Sequence, residues 1–340
     1  MKTIYEILTL LAALSFMACN ADSTLAEPAR ETEQEQTTQI MLEGTIRNGN
    51  ATRVAGTESP QNTEMVVGNT VGAFIYRTGL TAKETTGEGY GFNNKKLTRV
   101  SGTRQLFTPD IVDFPTEETR AVDIYAYAPY DEDYTSLTTH TFAVQENQST
   151  TDGYIKSDLL YQKLTNVEKT SSINYQVVPI NFDHKLTQIV VKVKIGAAIT
   201  AEDLQGTNVM LTGISRTGNI NLQTGEAAIA NPSTDVSQHT RTEQVKVFVY
   251  GQTEEGTDDL NVTQGYSVVY PHNEYDLVNA KIEFTVGPTT YQASLKTTNI
   301  TEWVAGLSYT YEVTVSQAGL SITASLSDWV EGGNTPGIAE

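Results

Sequence analysis

Residues 189–195 read Ile-Val-Val-Lys-Val-Lys-Ile, and this stretch decides the fold class. Its apolar residues at every second position share one face, with Lys192 and Lys194 on the other. Such alternation is typical of a β-strand with one buried face, because successive side chains of a strand point to opposite sides. We therefore predict an all-β protein built as β-sandwiches. The same pattern recurs, between clusters of turn-forming residues, at 40–46, 122–128, 245–249, 282–286 and 309–315.

The charge balance is acidic, with 41 Asp and Glu residues against 22 Lys and Arg and a net charge of −19. This balance argues against a nucleic-acid partner, because binding to phosphate backbones requires basic patches. The chain of 340 residues exceeds one ordinary domain. A break in the strand pattern near 170–176 predicts two β domains, at 38–173 and 174–340.

Cys19 is the only cysteine in the chain and follows a short apolar stretch. A charged start at Lys2 and an apolar core too short to span a bilayer are typical of a secretory signal peptide, predicted at 1–18. A cysteine directly after the cleavage point indicates bacterial lipidation; the alternative is a buried free cysteine behind an ordinary signal peptide. Asn20 stands next in place of Asp, which favours the outer membrane. Residues 19–37 are polar and acidic, and we predict a flexible linker there.

The distribution of reactive residues predicts a protein that is not an enzyme. The four histidines are scattered, the mature chain keeps no thiol, and neither a Gly-x-Ser-x-Gly elbow nor a phosphate-binding glycine loop is present. We therefore predict no catalytic residue, no metal and no cofactor. For three patterns we favour a structural role, and each leaves a functional alternative open. These alternatives are weak calcium binding at 131–133, catalysis by His184, and sugar stacking by Trp303 and Trp329.

Several short motifs follow one another in order along the chain. They are Thr52-Arg53-Val54, Val67–Phe74, Ile124–Tyr130, Asp158–Tyr161, Phe182–Leu186, Trp303–Tyr311 and Leu326–Trp329. Together, behind the predicted lipidation site Cys19, they resemble the fimbrillin family, the lipoprotein pilins of anaerobic Gram-negative bacteria that polymerise by donor-strand exchange. Asn69 and Ala128 depart from the family pattern, which often has Asp and a second aromatic residue at these places.

The resemblance implies two tandem transthyretin-like β-sandwich domains behind a lipoprotein signal peptide. It also implies maturation by a trypsin-like protease, which removes the lipid and the first strand and opens an apolar groove. A strand of a neighbouring subunit fills that groove, because unpaired sheet edges and exposed apolar stripes both bind partners. The implied partners are other fimbrial subunits, the membrane through the lipid anchor of the precursor, and host or bacterial surface ligands.

The residues at both ends of the mature chain permit this mechanism. The first predicted strand, Gln39–Ile46, precedes a loop with two arginines. Arg53 matches the Thr-Arg pair of the family and is favoured over Arg47 as the cleavage site; an uncut loop with salt-bridging arginines is the alternative. The alternating segment 320–326 fits a donor strand and equally the last strand of its own domain. The residues predicted for strand exchange are Ile40, Leu42, Ile46, Leu320, Ile322, Ala324 and Leu326.

The sequence thus predicts a structural subunit of cell-surface fimbriae, made as a lipid-anchored precursor at the cell outer membrane. Two other interpretations stay open: a membrane-retained pilus anchor and a surface glycan-binding lipoprotein. A hydrolase without a recognisable site is a weaker third interpretation.

Overall fold

The protein is nearly all β in its computed structural model, which describes residues 38–47, 65–85, 89–102, 106–109, 112–116, 121–170, 174–198, 200, 208–238, 241–250, 263–286 and 288–328. Within these ranges no helix has the length and hydrophobicity needed to span a bilayer. The helices are α1 (Thr151–Ser157) and two 3-10 turns, Val236–Gln238 and Asp276–Asn279. The strands are β1 (Gln39–Ile46), β2 (Thr70–Arg77), β3 (Phe92–Arg99), β4 (Phe107–Pro109), β5 (Val122–Ala128), β6 (Thr139–Ala143), β7 (Leu160–Val167), β8 (Tyr175–His184), β9 (Thr187–Ile195), β10 (Asn208–Ile214), β11 (Thr217–Asn221), β12 (Glu226–Ile229), β13 (Glu243–Lys246), β14 (Phe248–Tyr250), β15 (Thr263–Val269), β16 (Lys281–Val286), β17 (Thr289–Ser294), β18 (Leu307–Ser316) and β19 (Gly319–Asp328).

The largest sheet has seven strands in the order β1-β8-β7-β5-β2-β3-β4. Its strand pairs are antiparallel except β1 with β8, which run parallel. Along β1, buried and half-buried residues alternate strictly, as the sequence predicts. One face of the sheet is covered by a cluster of buried apolar residues that includes Ile40, Phe107 and Phe182.

The central strand β5 departs from the prediction of one buried face per strand, because all seven of its residues are buried. Ile124 belongs to the first apolar cluster, whereas Tyr125 and Tyr127 belong to a second cluster. A tyrosine ring is largely apolar, but its buried hydroxyl needs a partner. The Tyr127 hydroxyl donates to Asn94 Oδ1 at 2.7 Å. The alternation of aliphatic with aromatic residues in β5 therefore reflects burial on both faces.

The other strands form three smaller sheets, in the orders β14-β15-β9-β18-β19, β13-β10-β16-β17 and β12-β11-β6. The five-stranded sheet contributes Val191 and Tyr311 to the second cluster, and the four-stranded sheet contributes Leu211 and Phe284. Two sheets that share one apolar core form a sandwich. The predicted all-β sandwich class is confirmed.

The predicted border between 173 and 174 falls between β7 and β8, which pair with each other. The three-stranded sheet also joins the two sides of the border, because β6 pairs with β11. At this junction the Tyr161 hydroxyl donates to the Leu222 carbonyl at 2.9 Å. The second apolar cluster includes residues from both sides of the border. The division into two domains stays a prediction.

Candidate assembly site

Strand β1 is hydrogen-bonded along both of its edges. On one side it pairs with β8 in parallel over all eight of its residues. On the other side the Ile40 N–H donates to the Val112 carbonyl at 2.7 Å, and an isolated bridge joins Glu43 to Leu106. The strand therefore fills a space between β8 and the residues 106–109 and 112–114, which we call the β1 slot.

The inward side of β1 carries the predicted apolar stripe. Ile40, Leu42 and Ile46 are each no more than 3% exposed and belong to the first apolar cluster. Fully burying one aliphatic side chain of this size contributes about 1.5–3 kcal/mol, so the strand is held by packing as well as by its hydrogen bonds. The residues that line the slot belong to the same cluster. They are Phe107, Val112, Phe114, Val178, Ile180 and Phe182.

The fourth inward residue of β1 is Gly44, which sequence analysis did not single out. A Cβ atom added at Gly44 would lie 2.4 Å from Phe107 Cε2 and 3.1 Å from Phe182 Cε2. The two rings meet edge to face, with centroids 6.5 Å apart. The slot therefore accepts only a very small residue at this position. The sequence did contain a signal for this position. A glycine inside a predicted strand often marks a place where another group approaches the backbone closely.

The two arginines predicted as cleavage sites differ in what the structure describes. Arg47 directly follows β1; its N–H donates to the Phe182 carbonyl at 2.7 Å, and its exposed guanidinium lies 3.1 Å from an Asp183 carboxylate oxygen. Arg53 lies outside the described residues, as does the lipidation candidate Cys19. The peptide bond after Arg47 is therefore next to backbone that is fixed in the sheet.

The second predicted exchange segment forms β19, the edge strand of the five-stranded sheet. It pairs antiparallel with β18, from Gly319 opposite Ser316 to Asp328 opposite Leu307. Ile322 and Ala324 are partly buried against the second cluster, whereas Leu326 is 47% exposed. Leu320 lies in the strand opposite Val315. The structure thus places 320–326 in its own sheet, away from the β1 slot.

Three of the sequence motifs meet at one point in the fold. The buried Asp158 and the buried His184 are hydrogen-bonded, with His184 Nδ1 2.7 Å from Asp158 Oδ1. The Lys185 N–H donates to the Leu159 carbonyl at 2.8 Å, and the Gly306 N–H donates to the Leu186 carbonyl at 2.7 Å. His184 is thus buried and hydrogen-bonded, which agrees with its favoured structural interpretation, and it connects β8 to the residue that follows α1.

The structure describes the surroundings of two other candidate binding positions, Trp303 and the 131–133 turn. Trp303 is buried, and its Nε1 donates to the Tyr311 hydroxyl at 2.8 Å, so its ring is not available to a sugar. Trp329 lies outside the described residues. In the 131–133 turn, the Asp133 N–H donates to Asp131 Oδ1 at 3.0 Å. Among the residues described here, no three His, Cys, Asp or Glu side chains are grouped to hold a metal ion.

A cleft of about 600 Å³ lies beside this turn. Its lining mixes apolar and polar side chains, among them Tyr130, Phe142, Gln145 and Lys156. Its volume is within the range of clefts that bind small molecules.

These observations define an all-β sandwich protein in which the first described strand, β1, occupies a slot at the end of the seven-stranded sheet. The sequence profile of the fimbrillin-like family matches residues 52–329, and the chain belongs to this family. The resemblance drawn from the sequence motifs is thereby confirmed.

Individual proteins are also similar to this chain. A Bacteroides uniformis protein with the provisional name fimbrium subunit Fim1C is 25% identical over 283 residues, which are 80% of this chain and 82% of that protein. Two crystal structures share the fold, both provisionally described as cell adhesion proteins. The one from Bacteroides uniformis has a TM-score of 0.59 at 23% identity and covers 86% of this chain and 98% of its own. The one from Bacteroides ovatus has a TM-score of 0.60 at 18% identity, and the match covers 87% of this chain and 99% of that chain.

Proposed function

We propose that the protein is a structural subunit of a cell-surface fimbrium, made as an outer-membrane lipoprotein precursor and polymerised by strand exchange after proteolytic removal of β1. One observation carries the proposal. β1 is the first described strand of the chain and the terminal strand of its sheet, so its loss leaves every pairing among the other six strands intact. Its loss would also uncover the apolar cluster of the slot and the unpaired edge of β8, and both favour addition of a strand from another molecule.

Arg53 is the proposed cleavage site, in preference to Arg47. Proteases cut exposed, locally flexible segments. The residues just before Arg47 are the paired strand β1, with Ile46 buried. Cleavage after Arg47 would require β1 to leave the sheet first, whereas Arg53 lies six residues further from that strand.

Cys19 is the proposed lipid anchor of the precursor. Two or more acyl chains hold a protein stably at a membrane, whereas one chain holds it only marginally. Cleavage after Arg53 would separate the fold from Cys19 and release the subunit from the membrane in the step that empties the slot. Replacing Cys19 with Ala should abolish acyl-chain labelling; equal labelling of the variant would exclude this anchor.

The proposed donor is the segment with Leu320, Ile322, Ala324 and Leu326 of a neighbouring subunit. As an edge strand, β19 is attached to the rest of its sheet only through β18. Its release therefore breaks one strand pairing. The proposed partners are other fimbrial subunits, and the role is structural and non-enzymatic, as membership of the fimbrillin-like family supports.

Limited trypsin treatment of the purified precursor tests the proposal. We expect wild-type protein to lose its N-terminal segment and to convert from monomers into a ladder of oligomers. Arg53→Ala should stay monomeric, and Arg47→Ala, the matched control, should behave as wild type. Wild-type protein that loses β1 and remains monomeric would contradict the polymerisation mechanism and favour the retained anchor. A soluble oligosaccharide that raises the Tm of the uncut protein would favour the glycan-binding alternative.

A further inference from the structure

The β1 slot distinguishes between its four inward positions. Three accept large aliphatic side chains, those of Ile40, Leu42 and Ile46. The position of Gly44 has no room for a Cβ atom unless Phe107 moves. From the N-terminal to the C-terminal end of β1, the slot therefore requires inward side chains in the order large, large, small, large.

The segment Leu320-Ser-Ile-Thr-Ala-Ser-Leu326 has this same order at alternate positions, with Ala324 as its small residue. We propose that this segment of a second copy enters the β1 slot in one register and one direction, parallel to β8, with Ala324 in the place of Gly44. The inference rests on the strand replacement proposed above and specifies its geometry. An alanine requires the Phe107 ring to shift, and the atoms that it would contact belong to side chains and not to the backbone.

The requirement for a small residue at the Gly44 position sets the register of the inserted segment. A strand that keeps the same face inward can slip only by two residues, because side chains alternate with a period of two. Slipping in one direction brings Ile322 to the Gly44 position, and slipping in the other brings Leu326 there. Either side chain would overlap the Phe107 and Phe182 rings, and overpacking a buried site is destabilising. One parallel register remains.

The same position sets the direction. Reversing the segment in the slot brings Ile322 to the Gly44 position. The reversed register that restores Ala324 to that position brings Asp328 to the place of Ile40, which is 2% exposed. An unpaired carboxylate is strongly disfavoured there. The antiparallel orientation is therefore excluded by sterics in one register and by charge in the other.

The outward side of the segment fits the proposed register as well. The Thr45 hydroxyl donates to Asn181 Oδ1 on β8. In the proposed register Ser325 stands at the place of Thr45, so a hydroxyl is kept at this position. This hydrogen bond lies on the half-exposed side of the strand and adds a polar match to the apolar one.

Two synthetic peptides of identical composition test the register and direction. The first has the sequence of residues 319–328, and the second exchanges two residues, Ile322→Ala with Ala324→Ile. The exchange moves the small residue so that the peptide fills all four inward positions with side chains of the required size only when it is reversed; a parallel register slipped by two residues fills three of them and leaves the place of Ile40 empty. Each labelled peptide is added in excess to full-length wild-type precursor during limited trypsin treatment, and its capture and the oligomer ladder are both recorded.

We expect the natural peptide to be captured and to suppress the ladder, and the exchanged peptide to bind at least tenfold more weakly, since it leaves a cavity at one position and overpacks another. Equal capture of both peptides would overturn the selective Gly44 position, and preferential capture of the exchanged peptide would overturn the direction. If neither peptide binds while the protein still forms a ladder, the donor is another segment: the further inference and the proposed donor fail, whereas polymerisation after loss of β1 stands. If β1 is lost and neither ladder nor capture appears, the proposed function fails.

Discussion

Replacing Gly44 with Val should destabilise the uncut protein, because the new side chain would enter the space held by two aromatic rings. The Cβ alone would lie 2.4 Å from Phe107 Cε2. Overpacking of this kind costs about 1–3 kcal/mol, and the relief of glycine backbone entropy offsets about 0.5–1 kcal/mol. The net expectation is a loss of about 1–2 kcal/mol in the free energy of unfolding.

Urea denaturation of the variant and of wild type measures this loss, and their m-values, the slopes of free energy against urea concentration, should be compared. Met41→Val is the matched control, because it places the same residue type in the same strand on its half-exposed side. We expect the control to stay within about 0.5 kcal/mol of wild type. The Gly44→Val variant should also be cut faster by trypsin, because a weakened β1 opens more often. A Gly44→Val protein as stable as wild type would refute the described packing of the slot and, with it, the register argument.

The remaining predictions concern buried polar groups. Asp158→Ala should lower the free energy of unfolding by about 1–3 kcal/mol, because it removes a buried hydrogen-bond partner of His184. Asp152→Ala, at an exposed carboxylate, should change it by less than about 0.5 kcal/mol, and equal effects would refute the importance of the pair. Tyr161→Phe should cost about 1 kcal/mol by urea denaturation, because the Leu222 carbonyl loses its donor; no change would show that the carbonyl has another donor. Burial raises the pKa of Tyr76 to about 12, so the folded protein keeps a proton that the unfolded chain loses near pH 10. The free energy of unfolding should therefore fall as the pH rises from about 10 to about 12, and a constant value across this range would contradict the shift.

The local pattern of the sequence was sufficient to predict β1 and its inward stripe, whereas the predicted stretch 245–249 is divided between β13 and β14, which lie in different sheets. The predicted segment Gln39–Ile46 coincides with the observed strand, and Ile40, Leu42 and Ile46 face inward as predicted. The physical reason is that alternation is a property of consecutive residues. A strand exposes successive side chains to opposite sides whatever it pairs with.

Only the tertiary structure decided what each strand pairs with and how much of it is buried. Thr45 and Asn181 are hydrogen-bonded although they are 136 positions apart in the chain. β5 is buried on both faces because a second apolar cluster covers its tyrosines. Gly44 became the selective position of the slot because Phe107, from a distant strand, approaches its backbone. Such contacts depend on which distant segments meet, and a period of two residues carries no information about that choice.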